Sequence, residues 1–207
     1  AGAQMFAQLF GATSTARLPA EYQEVQYLEA ASAGPYIRTG INPSLRTTEM
    51  SVRFMPIAIA SRLFGCSATN GVSGTIYRYR VYDVSSTDML LSIGNINYFV
   101  VSAPTISNVY TVAFSGGVIS VNGSTVATYA GPNYTLNREI VLFGERIESG
   151  IYVAGACRIY AATIGADRNY VPARRRADNV LGMYDLINST FETNDGTGSF
   201  TAGPDVD

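Results

Sequence analysis

Asn169–Gly203, NYVPARRRADNVLGMYDLINSTFETNDGTGSFTAG, packs turn and strand signals together and decides how the chain is read. Val171 precedes Pro172 and is steered into extended backbone by the proline ring. Leu181-Gly182-Met183-Tyr184-Asp185 leads into Leu186 and Phe191, and Asn194-Asp195-Gly196 is a turn signal that sends the chain back. The stretch therefore reads as a closing hairpin and not as an active site. Arg174, Arg175 and Arg176 are expected to be loop arginines that bond backbone carbonyls or neighbouring acids such as Asp178 and Asp185.

The composition around it agrees with an all-β chain. Of 207 residues, 47% are hydrophobic and 14% charged, which is enough for a sizeable core, and 20 glycines and 14 tyrosines favour strands joined by turns. A length of this order suits one undivided sandwich. The formal net charge of -2 gives no basic surface for nucleic acid, and no apolar run nears the roughly 18 residues that span a bilayer. Neither nucleic acid nor membrane is an expected partner.

All 14 basic residues are Arg; His, Lys and Trp are absent. The missing His removes Ser-His-Asp and Cys-His relays and imidazole metal sites, and the missing Lys removes Schiff bases and the phosphate-loop lysine. No cofactor or metal is expected. Cys66 and Cys157 lack CxxC spacing and lie in the apolar runs LFGCSA and GACRIYAATI, so zinc is not expected; two buried thiols are favoured over a disulfide.

Residues 1–17, AGAQMFAQLFGATSTAR, form a separate N-terminal arm ahead of a domain over 18–207, with Met5, Phe6, Leu9 and Phe10 on one side of a short helical pattern. The sequence starts at Ala1, so we expect processing or a shifted numbering, and the arm lacks the charged start and long apolar centre of an intact signal peptide. These four apolar residues are the expected contact between subunits. After the arm, Val25 to Glu29 and Tyr36 to Gly40 flank a Gly34-Pro35 turn and read as a first hairpin. Thr47 to Pro56 alternates, a strand at Arg62 to Cys66 runs to an Asn70-Gly71 turn, and VISVNGSTVATY turns at Asn122-Gly123 as a hairpin. Turns also fall at Ser85-Ser86 and Pro104. Glu139 to Phe143 is an unbroken apolar run expected to be a central strand covered on both faces.

Two places carry candidate chemistry. In GTIYRYRVYD, Tyr77, Tyr79 and Val81 share one face of a strand and Arg78, Arg80 and Tyr82 the other. Tyr rings offer surfaces to sugar C–H edges and Arg forks offer donors to hydroxyls or carboxylates, so Tyr77, Arg78, Tyr79 and Arg80 are the expected glycan contacts, weighed against a solvated strand whose arginines pair with acids. Glu145 and Glu148 are the carboxylate pair a glycoside hydrolase would need, but a spacing of i and i+3 puts them on opposite sides of a strand. A surface turn with Arg146 between them is the expected arrangement.

The opening block Leu18–Pro43, with EYQEVQYLE and YIRTG, and the closing block from Cys157, with V-P, GMYD and NDGTGSF, resemble the ends of laminin-G-like, concanavalin-A-type jelly-roll domains found in phage virion proteins and gut bacterial surface proteins. Arg38 stands where an acid is expected in the Y-I-x-T-G step, and Ala173 where Cys often follows V-P, so no ligand or thiol role is carried over through either. The resemblance implies an antiparallel two-sheet jelly-roll sandwich with neighbouring termini and supplies no catalytic residues. It implies a non-enzymatic structural or adhesive virion protein, such as a capsid decoration or tail-appendage subunit on the virion surface, partnered with itself or other surface subunits through the arm and binding host glycans. The alternatives are an extracellular or cell-surface carbohydrate-binding module or filament subunit and, more remotely, a glycoside hydrolase.

Overall fold

The computed structural model describes residues 17–58, 60–69, 75–84, 88–99, 106–152 and 156–207. The expected contact residues Met5, Phe6, Leu9 and Phe10 and the turns at Asn70-Gly71, Ser85-Ser86 and Pro104 lie outside them. In chain order the strands are β1 (Tyr22–Glu24), β2 (Leu28–Ala30), β3 (Ile37–Arg38), β4 (Met50–Pro56), β5 (Ala60–Thr69), β6 (Ile76–Val84), β7 (Met89–Gly94), β8 (Ile96–Phe99), β9 (Tyr110–Ser115) and β10 (Val118–Val121). They continue as β11 (Ser124–Thr128), β12 (Val141–Leu142), β13 (Glu145–Ile147), β14 (Gly150–Tyr152), β15 (Cys157–Ile164), β16 (Arg168–Arg175), β17 (Leu181–Asp185), β18 (Thr190–Thr193) and β19 (Thr201–Ala202).

These strands make an all-β, two-sheet jelly-roll sandwich. The larger sheet has 11 strands in the order β11-β10-β9-β4-β15-β16-β17-β18, with β1 on β16, β2 on β15 and β19 on β2. The smaller sheet has eight, in the order β14-β13-β5-β6-β7-β8, with β12 on β5 and β3 on β12. The chain leaves the larger sheet between β4 and β5 and returns to it between β8 and β9. Among the described residues pairing is antiparallel apart from one parallel bridge of β13 to β5 at Arg146 and Cys66.

The core fills the space between the sheets, as alternation along β4, β9 and β15 requires of half-covered strands. Phe54 of β4 meets Phe64 of β5 edge-on with ring centroids 5.1 Å apart, and Tyr79 of β6 meets Phe114 of β9 at 4.6 Å. A smaller cluster, Leu18, Val171, Ala173 and Tyr184, is closed over by Tyr22, Leu186 and Phe191.

The end blocks differ from the expected hairpins. β2 and β3 do not pair with each other: β2 joins the larger sheet and β3 the smaller, so the Gly34-Pro35 segment crosses between sheets. The closing stretch forms the meander β16-β17-β18, after which Asn194 to Thr197 docks on the opening block instead of returning along β18. Asn194 Oδ1 accepts the Tyr36 N–H at 3.2 Å, Asp195 Oδ2 accepts that of Arg38 at 3.1 Å, and the Asp195 N–H donates to the Tyr36 carbonyl at 3.0 Å. Gly196 is required there, since a Cβ would stand 2.0 Å from the Gly34 carbonyl oxygen. A bridge of Val25 to Asp205 then sets the end of the chain beside its opening block.

The arginine knot also departs from its loop reading, since Arg174 and Arg175 belong to β16. Arg174 pairs with Asp205 at 2.7 Å and Arg175 with Asp178 at 2.7 Å, while Arg176 donates to Gln23 at 2.5 Å. Asp185 is served by Arg168 and not by the knot. The run at Glu139 to Phe143 is buried throughout, although only Val141–Leu142 is strand, held between β3 and β5.

Candidate ligand-binding site

From Tyr77 to Arg80 strand β6 sends successive side chains to opposite faces, and this divides the four expected glycan contacts between two environments. Tyr77 and Tyr79 point into the core, 9% and 0% exposed. The Tyr77 ring packs on Tyr134 at 4.9 Å, and the Tyr79 hydroxyl donates to the Thr48 carbonyl at 2.8 Å. Burial raises the pKa of both phenols, that of Tyr79 well above its usual value. Neither ring reaches the face that Arg78 and Arg80 occupy. The alternation that placed all four on one strand also keeps the pairs apart.

Arg78 and Arg80 line a cavity of about 360 Å³ together with Ser67 of β5 and Glu145 of β13. Arg80 is itself buried, and its Nη1 donates to Glu145 Oε1 at 2.5 Å and to Ser67 Oγ at 3.3 Å. The Ser67 hydroxyl donates to the same Oε1. Glu145 Oε2 accepts no hydrogen bond, and Arg62 Nε stands 3.9 Å from it. The close approach of β5 to β6 depends on Gly65 opposite Arg80: at φ +125° a Cβ there would lie 2.3 Å from the Tyr79 carbonyl oxygen and 2.5 Å from Arg80 Cα.

Glu148 lines the same cavity as Glu145, contrary to the opposite-sides reading. The period of two fails because β13 ends at Ile147, leaving Glu148 in the turn that leads to β14. Glu148 accepts from the Thr69 N–H at 2.9 Å, from the Thr69 hydroxyl at 3.2 Å and from Arg138 Nη2 at 2.6 Å. The Thr69 backbone donor, ahead of Arg138, holds its carboxyl below the usual range. The exposed Ile76, together with Ile147, adds apolar surface to this polar lining.

A second hollow of about 320 Å³ includes Arg38, Arg138, Glu139 and Arg146, and its Arg138 pairs with Glu148 of the first at 2.6 Å. Arg38 pairs with Glu139 at 2.5 Å, and Glu139 Oε2 accepts the Gly40 N–H at 2.9 Å. Sequence reasoning had singled out Arg78, Arg80, Glu145 and Glu148. It missed Ser67, Arg62, Arg38, Arg138 and Glu139, which come from three separate stretches and carry no local spacing signal.

Cys66 and Cys157 are free and buried. Burial pushes the Cys66 thiol well above its ordinary pKa and that of Cys157 up to about 12, so both stay protonated and unreactive at neutral pH. Among the described residues no group of three or more His, Cys, Asp or Glu side chains is placed to hold a metal ion.

No protein-family model matches the chain, and no curated protein matches it. Among solved structures it is similar to a native heptameric SAP-like pentraxin from Limulus polyphemus, with 17% identity and a TM-score of 0.48 over 69% of this chain and 76% of that one.

Proposed function

We propose that the chain is a non-enzymatic binding module that takes a saccharide in the cavity over Arg80 and Glu145. The observation that carries this reading is the fully buried Glu145 carboxylate, one oxygen of which accepts no hydrogen bond, at the base of a cavity that also offers the Arg78 fork and apolar surface from Ile76 and Ile147. Orphaned polar groups beside apolar surface suit a ligand with hydroxyl edges and C–H faces. Hydrolysis is disfavoured because the acid of a cleaving pair must hold a proton for the leaving oxygen, whereas Glu145 is paired with Arg80 at 2.5 Å and Glu148 with Arg138 at 2.6 Å. A glycan array probed with the full chain and with Arg78→Ala tests the site: binding by the first and its loss in the second are expected. No binding to any glycan, or equal binding by both proteins, overturns it.

The end-block resemblance supports a setting as an adhesive or structural subunit on a virion surface, with an extracellular or cell-surface module as the alternative. In this reading the apolar arm residues Met5, Phe6, Leu9 and Phe10 join copies of the chain or attach it to other surface subunits. The mass in solution of the full chain and of a Phe6→Ser, Phe10→Ser variant tests that contact. An assembly that dissociates on substitution supports it, and an unchanged mass rejects it.

A further inference from the structure

We infer that the two hollows linked by the Arg138–Glu148 pair form one bipartite site for an acidic oligosaccharide bearing separate carboxylates, with Arg78 anchoring one and Arg146 another. This deepens the saccharide reading and rests on it. Of the arginines lining the hollows, Arg38, Arg80 and Arg138 are committed to Glu139, Glu145 and Glu148, and Arg62 stands 3.9 Å from the second oxygen of Glu145. The guanidiniums of Arg78 and Arg146 have no hydrogen bond or ion pair among the described residues, and both side chains are half-buried. A half-buried guanidinium left without an anion is a ready donor to a planar carboxylate, which it can meet with two parallel N–H···O bonds.

The placement of these two arginines follows from the sheet. Arg78 stands on β6 in the hollow that holds Glu145, and Arg146 on β13 in the hollow that holds Glu139. Arg138 and Glu148, 2.6 Å apart, belong one to each hollow, so a chain ligand crossing between them passes a neutralised pair and meets a free cation on either side.

Charge decides the class of acid. Glu139, Glu145 and Glu148 lie among the arginines and the whole chain carries -2, so a densely sulfated polymer meets carboxylates wherever it meets an arginine. One carboxylate per sugar, spaced along the chain, reaches Arg78 and Arg146 without that repulsion.

The test is calorimetric titration of the full chain with galacturonate, tetragalacturonate, fully methyl-esterified tetragalacturonate and a heparin tetrasaccharide. Tetragalacturonate is expected to bind at least about tenfold more tightly than the monosaccharide, because the second anchor engages within one molecule. Esterification removes the charge and is expected to cost about tenfold or more. Arg146→Gln and Arg78→Gln should each abolish the gain with length; unchanged thermal melting shows that each variant is folded. Equal binding of ester and acid, or tetragalacturonate affinity untouched by Arg146→Gln, overturns the bipartite acidic site while leaving a saccharide site standing. Tighter binding of heparin overturns the carboxylate class, and no binding of any saccharide overturns both readings.

Discussion

Replacing Asp185 should separate the contribution of its charge from that of its hydrogen bonds, because each oxygen has distinct partners. The side chain is fully buried at the end of β17, where Oδ1 accepts the N–H groups of Asn169 and Ile187, both at 3.0 Å, and Oδ2 accepts Asn188 Nδ2 at 2.6 Å with Arg168 Nε 3.7 Å away. Asp185→Ala leaves two backbone donors and an amide without their acceptor. At about 1–3 kcal/mol for each stranded donor, the two backbone groups alone imply a loss of about 2–6 kcal/mol. Asp185→Asn keeps an oxygen for both N–H groups but turns an NH2 towards Asn188, whose own NH2 is fixed by a 2.7 Å bond to the Asp167 carbonyl. Losing one charge-assisted bond implies about 1.5–3 kcal/mol.

Urea unfolding at neutral pH should therefore rank wild type, Asp185→Asn and Asp185→Ala in that order of falling stability. For a chain of this size each kcal/mol corresponds to roughly 2–4 °C in Tm. Acid adds a second check. Burial pushes the Asp185 carboxyl up, but Asn188, the two N–H groups and Arg168 outweigh it and leave its pKa below the usual 3.8. Its charge thus contributes stability above the unfolded value, and that contribution is lost as pH falls through the folded one. The gap between wild type and Asp185→Asn should narrow in that acid window. An Asp185→Ala protein within about 0.5 kcal/mol of wild type, or an Asn variant as unstable as the Ala variant, refutes the reasoning.

Glu145→Ala should cost about 3–5 kcal/mol in urea unfolding by leaving Arg80 buried without its carboxylate, and adding Arg80→Met should restore part of the loss. Gly65→Ala should be destabilised by at least about 2 kcal/mol in the same assay, since its Cβ meets β6 backbone and its φ is strained. A thiol-reactive disulfide reagent at pH 8 should leave Cys66 and Cys157 untouched in the folded protein and modify both in denaturant; fast reaction of either in the native state contradicts their burial.

Much of the fold was legible because its signals are local. The period of two in Met50 to Pro56 and in β6, and the Asn122-Gly123 turn, each act within a few residues, and all appear as strands and hairpin in the structure. The Asp in GMYD was visible as a motif residue, yet its work as acceptor for Asn169, Ile187 and Asn188 was not, because those partners belong to β16 and to the turn after β17. Gly34-Pro35 illustrates the opposite limit. Its turn signal was real, but whether the flanking strands pair depends on where the closing loop docks, more than 150 residues away.

The sequence by itself determined an all-β chain, the division of β6 into two faces and the absence of a His or Lys relay, because residue identity and alternation suffice for these. Only the tertiary structure decided the site. It joined β5, β6 and β13 so that Ser67, Arg80 and Glu145 meet, carried Glu148 into the same cavity by ending β13 at Ile147, and set Arg38 and Arg138 beside Arg146. Charges brought together from segments 65 to 101 residues apart leave no spacing in the chain to read. Their pairing follows from strand order, which depends on how every other strand is covered.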